Sequence, residues 1–153
     1  MTKVINAPIT IIILGLLFTG CGAEQPDTVG LKDGALQECP ESPNCIQSYS
    51  STDEDHFMEP LKMVESDLAK TKDRILAVVG DMKRTEVISE EGNYIHVTYT
   101  TAVFRFIDDV EFLIDEENGL VHFRSASRVG YSDLGVNEKR MTEFSELYSA
   151  FEN

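Results

Sequence analysis

The stretch Val110-Glu111-Phe112-Leu113-Ile114-Asp115-Glu116-Glu117-Asn118-Gly119-Leu120-Val121-His122-Phe123-Arg124-Ser125 decides the fold. Apolar and polar residues alternate on both sides of Asn118-Gly119, the period of half-buried strands. Asn-Gly is a strong hairpin signal, because both positions tolerate positive φ. Read as a two-residue loop, it sets Asp115 opposite His122, Ile114 opposite Phe123, Leu113 opposite Arg124 and Phe112 opposite Ser125. Val110, Phe112, Ile114, Val121 and Phe123 then share one face, the expected core. Glu111, Asp115, His122 and Arg124 share the other.

Working upstream, Val87-Ile88, Tyr94 to Thr101 and Val103 to Ile107 are also β-branched and aromatic. Gly92-Asn93 is a second hairpin signal, and Asp108-Asp109 reads as a third turn or a bulge. The register puts Phe104 and Phe106 beside Leu113 on the polar face. That requires either a bulge near Thr101 or partial cover of the second face.

Two helices flank these strands. Pro60 suits a first helical position, and Leu61, Val64, Leu68, Ile75 and Val79 form a stripe at helical spacing, with Gly80 placed to end it. Lys70, Lys72 and Arg74 mark its solvated side. A second helix is expected after Asn137 as N-cap, with Met141, Phe144, Leu147, Tyr148 and Phe151 as its apolar stripe. The expected class is α+β. An antiparallel meander of about four strands packs with two helices, and a disulfide-pinned loop precedes it. The expected division is a signal peptide over 1–20, a flexible tether over 21–38 and one α+β domain over 39–153.

The N-terminus carries the clearest message about location. Lys3 precedes about ten mostly apolar residues, Ile9 to Phe18, and Leu17-Phe18-Thr19-Gly20-Cys21 follows. The apolar run is half the length of a bilayer span and suits a signal h-region. It resembles a bacterial lipoprotein signal, with Cys21 as the lipidated first residue of the mature chain. That resemblance implies a triacylated, palmitate-bearing anchor, stable because several chains are buried together. It places the protein in the cell envelope. Gly22 is not the Asp associated with inner-membrane retention, so in a Gram-negative cell the expected site is the outer membrane, facing the periplasm.

The chain has 27 acidic and 13 basic side chains, a net charge of −14. Such a surface repels nucleic acid and anionic lipid headgroups, and no nucleic-acid partner is expected. Cys39 and Cys45 remain once Cys21 is assigned to lipid. In an exported chain, with Pro40 and Pro43 bending the segment between them, they read as a disulfide.

The densest polar stretch is Arg124-Ser125-Ala126-Ser127-Arg128-Val129-Gly130-Tyr131-Ser132-Asp133-Leu134-Gly135-Val136-Asn137. Arginine forks suit carboxylates and phosphates, and glycines let backbone N–H groups turn toward an anion. The same residues also suit a structural knot, with Arg124 and Arg128 paired to Asp108, Asp109 or Asp133. Asp53-Glu54-Asp55-His56 lacks the spacing of a calcium loop, and His96 with His122 lacks a third ligand, so no metal is expected. No phosphate loop, dinucleotide fingerprint or nucleophile elbow is present, and no cofactor is expected.

Cys39-Pro40-Glu41-Ser42-Pro43-Asn44-Cys45, Phe106-Ile107-Asp108-Asp109-Val110 and the Arg124–Gly130 run with Ser132, Asp133, Gly135, Asn137 and Arg140 resemble the signature of the domain-of-unknown-function 1499 family. His56 and Pro60 also fall on it. The resemblance spans about residues 39–145 and implies an exported or membrane-attached protein, with no established activity or catalytic residue. Two readings of function follow. One is a non-catalytic envelope lipoprotein that binds a small anionic ligand or another envelope protein. Arg124 and Arg128 serve it as forks, Ser125, Ser127 and Ser132 as hydrogen-bond partners, and Asp108, Asp109 and Asp133 as orienting carboxylates, with Asn137 closing the same candidate network. The alternative is a hydrolase-like enzyme using Asp108 and Asp109 with Arg128.

Overall fold

In the computed structural model, residues 24–49 and 54–150 are described. The signal segment, Cys21, Asp53 and Phe151 lie outside them.

The chain runs β1 (Leu31–Lys32), β2 (Ala35–Leu36), β3 (Cys45–Gln47), β4 (Leu61–Lys62), α1 (Leu68–Asp81), β5 (Thr85–Glu91), β6 (Tyr94–Thr100), β7 (Ile107–Asp115), β8 (Leu120–Ser127) and α2 (Val136–Ala150). The expected α+β class is what the chain adopts. Strands β5 to β8 form the antiparallel meander, and the short β3 and β4 both pair with the free edge of β8, giving a six-stranded sheet. Cys39 and Cys45 are bonded, which pins the preceding loop to the start of β3.

Period-2 alternation sorts the meander into two faces. Ile95, Val97, Val110, Phe112, Ile114, Val121 and Phe123 are buried in one core with Ile75, Val78 and Val79 of α1 and Met141, Phe144 and Tyr148 of α2. Phe112 and Phe144 meet at 4.7 Å between ring centroids. Full burial of such side chains contributes roughly 1.5–3 kcal/mol each, and that fixes which face the helices cover.

The hairpin register differs from the two-residue reading. Asp115 faces Leu120, Ile114 faces Val121, Leu113 faces His122 and Phe112 faces Phe123. The Asp115 carboxylate accepts from the backbone N–H groups of Glu117 and Asn118, and this Asx-type turn lengthens the loop to Glu116–Gly119. The slip is two residues, so every side chain keeps its expected face.

Three other elements depart from the sequence reading. Pro60 does not open α1. Leu61 and Lys62 pair with β8 instead, and Glu65 and Ser66 adopt left-handed backbone that no helix continues through. Asp67 caps α1 by accepting from the Lys70 N–H. At the other end the helix passes Gly80 and stops at Met82, which is extended. Asp108-Asp109 is neither turn nor bulge but lies within β7, while 101–106 is a loop closed by Thr101 N–H donating to the Phe106 carbonyl. Phe104 and Phe106 therefore sit on neither sheet face; they stack on each other in that loop, exposed. Asn137 lies inside α2, and Asp133 takes the capping role by accepting from the N–H groups of Gly135 and Asn137.

The flexible tether expected over 21–38 contains, among its described residues, the β1–β2 hairpin, and its Leu36 is buried. Gly30, at φ 109°, turns its N–H onto Glu111 at 2.7 Å. Part of the second sheet face is thereby covered, one of the two options that the sequence left open.

Candidate functional site

Strand alternation sends Asp108 and Asp109 to opposite faces of β7, and two polar networks grow from them.

On the helix face, Asp108 accepts from Arg140 of α2. Arg140 also donates to Ser125 Oγ at 3.2 Å and to the Asn137 side-chain carbonyl. Ser125 Oγ donates to the same Asn137 oxygen at 2.6 Å. The Asn137 amide donates to Ser127 Oγ, to Asp133 and to the Asn44 carbonyl. The guanidinium of Arg140 lies 4.8 Å over the Tyr99 ring, and burial pushes the Tyr99 hydroxyl pKa up. This network ties the disulfide loop, the end of β8 and the start of α2 into one corner.

On the second face, the Asp109 carboxylate accepts from His96 Nε2 at 2.8 Å and from Arg128 through two bonds, Nε at 2.9 Å and Nη2 at 2.8 Å. Burial alone would raise the Asp109 carboxyl. The hydrogen bonds from His96 and Arg128, with the Arg128 charge, outweigh it and hold the carboxyl below its ordinary range. Two residues along β7, Glu111 is fully buried and accepts from Arg124 at 3.1 Å, Tyr94 Oη at 2.8 Å and the Gly30 N–H. Burial, then the Glu111 charge, pushes the Tyr94 hydroxyl up. Arg124 Nε has no hydrogen-bond partner among the described residues.

Beside this second network lies a pocket of about 300 Å³. Asp109, Arg124, Ser127 and Arg128 line one side, and Pro26, Thr28, Glu38 and Pro40 line the other. Its arginines are held in fixed poses by carboxylates, and its opposite wall is the N-terminal stretch.

Of the residues singled out from sequence, Asp108, Ser125, Ser127, Asp133 and Asn137 meet on the helix face. Asp109, Arg124 and Arg128 meet on the other. Ser132 joins neither among the described residues; its Oγ accepts from the Leu134 N–H in a local turn. The paired carboxylates of the hydrolase reading do not form a pair. His96, Glu111 and Tyr94 belong to the site without having been placed in it. Their signal was alternation, since His96 and Tyr94 on β6 share the face of Asp109 and Glu111 on β7. His96 and His122 do lie on one face, but His122 stacks on Tyr49 at 4.5 Å and contacts Ser48. His56 Nε2 lies 3.2 Å from the Ser42 carbonyl and packs the disulfide loop. Among the described residues, no group of three His, Cys, Asp or Glu side chains is placed to hold a metal.

The model of a family described as protein of unknown function (DUF1499) matches residues 35–147, so the chain belongs to that family. No curated protein and no solved structure matches the chain.

Proposed function

We propose that this member of the DUF1499 family is a lipid-anchored envelope protein, held at the membrane through Cys21, and a non-catalytic module that binds a small anionic ligand. The observation that carries the binding reading is the 300 Å³ pocket walled by Arg124 and Arg128. Its volume is at the small end of ligand sites. The Arg128 fork is fixed by two bonds to Asp109 and Arg124 by its bond to Glu111, so little side-chain freedom is lost when a carboxylate or phosphate arrives.

Two features favour binding over catalysis. An acid–base carboxylate working near neutrality needs a raised pKa, whereas Asp109 is lowered. Asp108, which the hydrolase reading pairs with it, faces away. In a cell with two membranes, Gly22 favours the outer one, facing the periplasm.

Native mass spectrometry of the full chain purified from its own host tests the reading. The expected result is a retained small anion that is lost in Arg128→Lys, because lysine cannot reproduce the planar fork. A bare protein mass, or the same bound mass in the variant, would contradict it.

A further inference from the structure

Among the described residues, ten large apolar side chains are exposed, and seven of them sit at one end of the sheet, six in two loops and one at the first residue of α2. Val103, Phe104 and Phe106 belong to the loop between β6 and β7; Val129, Tyr131, Leu134 and Val136 follow β8. The two loops are neighbours. Asp108 pairs with Ser127, the Arg128 N–H donates to the Ile107 carbonyl, and Ala102 and Val136 line one cleft. Exposed apolar groups scattered singly need no explanation, but a cluster confined to adjacent loop tips does. Phe104 is 75% exposed, Tyr131 76% and Leu134 94%.

The backbone points the same way. Leu134, at φ 57°, and Arg105, at φ 58°, hold left-handed conformations that cost a side-chain-bearing residue energy. A strained, almost wholly exposed leucine contributes nothing to the core. Four basic side chains gather around these tips, beside the acids Asp81, Asp133, Glu138 and Glu143. Arg105, Lys83, Arg84 and Lys139 are exposed and make no ion pair among the described residues, in a chain of net charge −14. Lys83, Arg84 and Lys139 line a cleft of about 510 Å³ between the 101–106 loop and the start of α2, with Asp81 and Glu143 as its acids.

The N-terminal stretch arrives at this same end. Pro26 and Thr28 line a pocket with Ser127 and Arg128, where β8 passes into the second loop. Cys21 is five residues before Pro26, a reach of at most about 17 Å. A lipid anchor at Cys21 would hold this end toward the bilayer, not the β7–β8 turn at the other.

We propose that the 101–106 and 128–135 loops form a docking face for an anionic lipid surface. Phe104, Tyr131 and Leu134 enter the headgroup boundary, and Arg105, Lys83 and Lys139 meet lipid phosphates. The orientation rests on the anchor proposed above; the apolar cluster and its charge do not.

The chain contains no tryptophan, so Phe104→Trp supplies a single reporter, and Glu117→Trp at the opposite end supplies its control. Each full chain is mixed with vesicles of brominated phosphatidylcholine, with or without phosphatidylglycerol. The expected result is a blue shift and loss of emission for Trp at 104 on phosphatidylglycerol vesicles. That signal disappears when Lys83→Glu and Lys139→Glu are added, and Trp at 117 is unchanged throughout. Unquenched emission at 104 on anionic vesicles overturns the proposal, as does quenching that survives both charge reversals. A concentration-dependent blue shift without lipid overturns it in favour of self-association. Flotation with pure phosphatidylcholine vesicles reads the anchor separately. If the chain fails to float, the anchor fails, and emission on anionic vesicles still decides the docking face.

Discussion

Asp108 and Asp109 are adjacent in sequence, yet their carboxylates serve different arginines on opposite faces of β7: Asp108 binds Arg140 of α2, and Asp109 binds Arg128 at the end of β8. The polar motif that dominates the sequence is thus two structures back to back. One seats α2 on the sheet. The other positions the arginines of the small pocket under the N-terminal stretch.

Asp109 gives the second network an acid limit. Its folded pKa lies below the ordinary aspartate value, so its contribution to stability is complete above that ordinary value and is lost as pH falls through the lower folded one. Asp109→Asn should cost about 3–5 kcal/mol at pH 7, because Arg128 loses its charged partner. The gap in melting temperature between wild type and variant should narrow below pH 4. A gap constant from pH 7 to pH 3 would remove the charge argument.

Lysine should not replace Arg128 without loss. The two bonds to Asp109 need Nε and Nη2 in one plane, and an ammonium supplies only one contact. Arg128→Lys is expected to lower stability by about 1–3 kcal/mol in urea titration. An unchanged midpoint would mean that the fork does not hold the fold.

Gly30 should report whether the N-terminal stretch stays on the sheet. Its N–H is donated to buried Glu111, so its amide should exchange slowly with solvent. Glu111→Gln weakens the acceptor and should speed exchange at Gly30, while Val97 and Phe112 in the core remain protected. Fast exchange at Gly30 in the wild type would show the stretch to be open.

Cys21 should carry the anchor. Metabolic labelling with a fatty-acid analogue is expected for the wild type and should be abolished in Cys21→Ser. Equal labelling of the two would end the lipoprotein reading.

Much of this was legible in the sequence, for identifiable reasons. Alternation along Val110–Ile114 and Val121–Phe123 fixes faces, and faces survive a two-residue error in register. It also put Glu111 and Arg124 on one side, where they pair. The disulfide was legible because only two cysteines remain after Cys21 is assigned. What failed depended on local geometry. Leu61 and Val64 fit a helical stripe and are indeed buried, but they reach the core from an extended segment and a turn. Asp108-Asp109 resembles turn chemistry, yet Arg140 and Arg128 neutralise it inside a strand. The role of His96 depended on its pairing across β6 and β7, which nothing in its own neighbourhood announces.

The division of the motif into two networks is best tested by double-mutant cycles on the four residues Asp108, Arg140, Asp109 and Arg128, read as unfolding free energies. Asp108→Asn with Arg140→Gln, and Asp109→Asn with Arg128→Gln, should each show a coupling of about 0.5–3 kcal/mol. The crossed cycles, Asp108 with Arg128 and Asp109 with Arg140, should show coupling within about 0.5 kcal/mol of zero, although the two aspartates are neighbours in the chain. Crossed couplings as large as the direct ones would mean that the carboxylates act as one site, and the two-sided reading would be wrong.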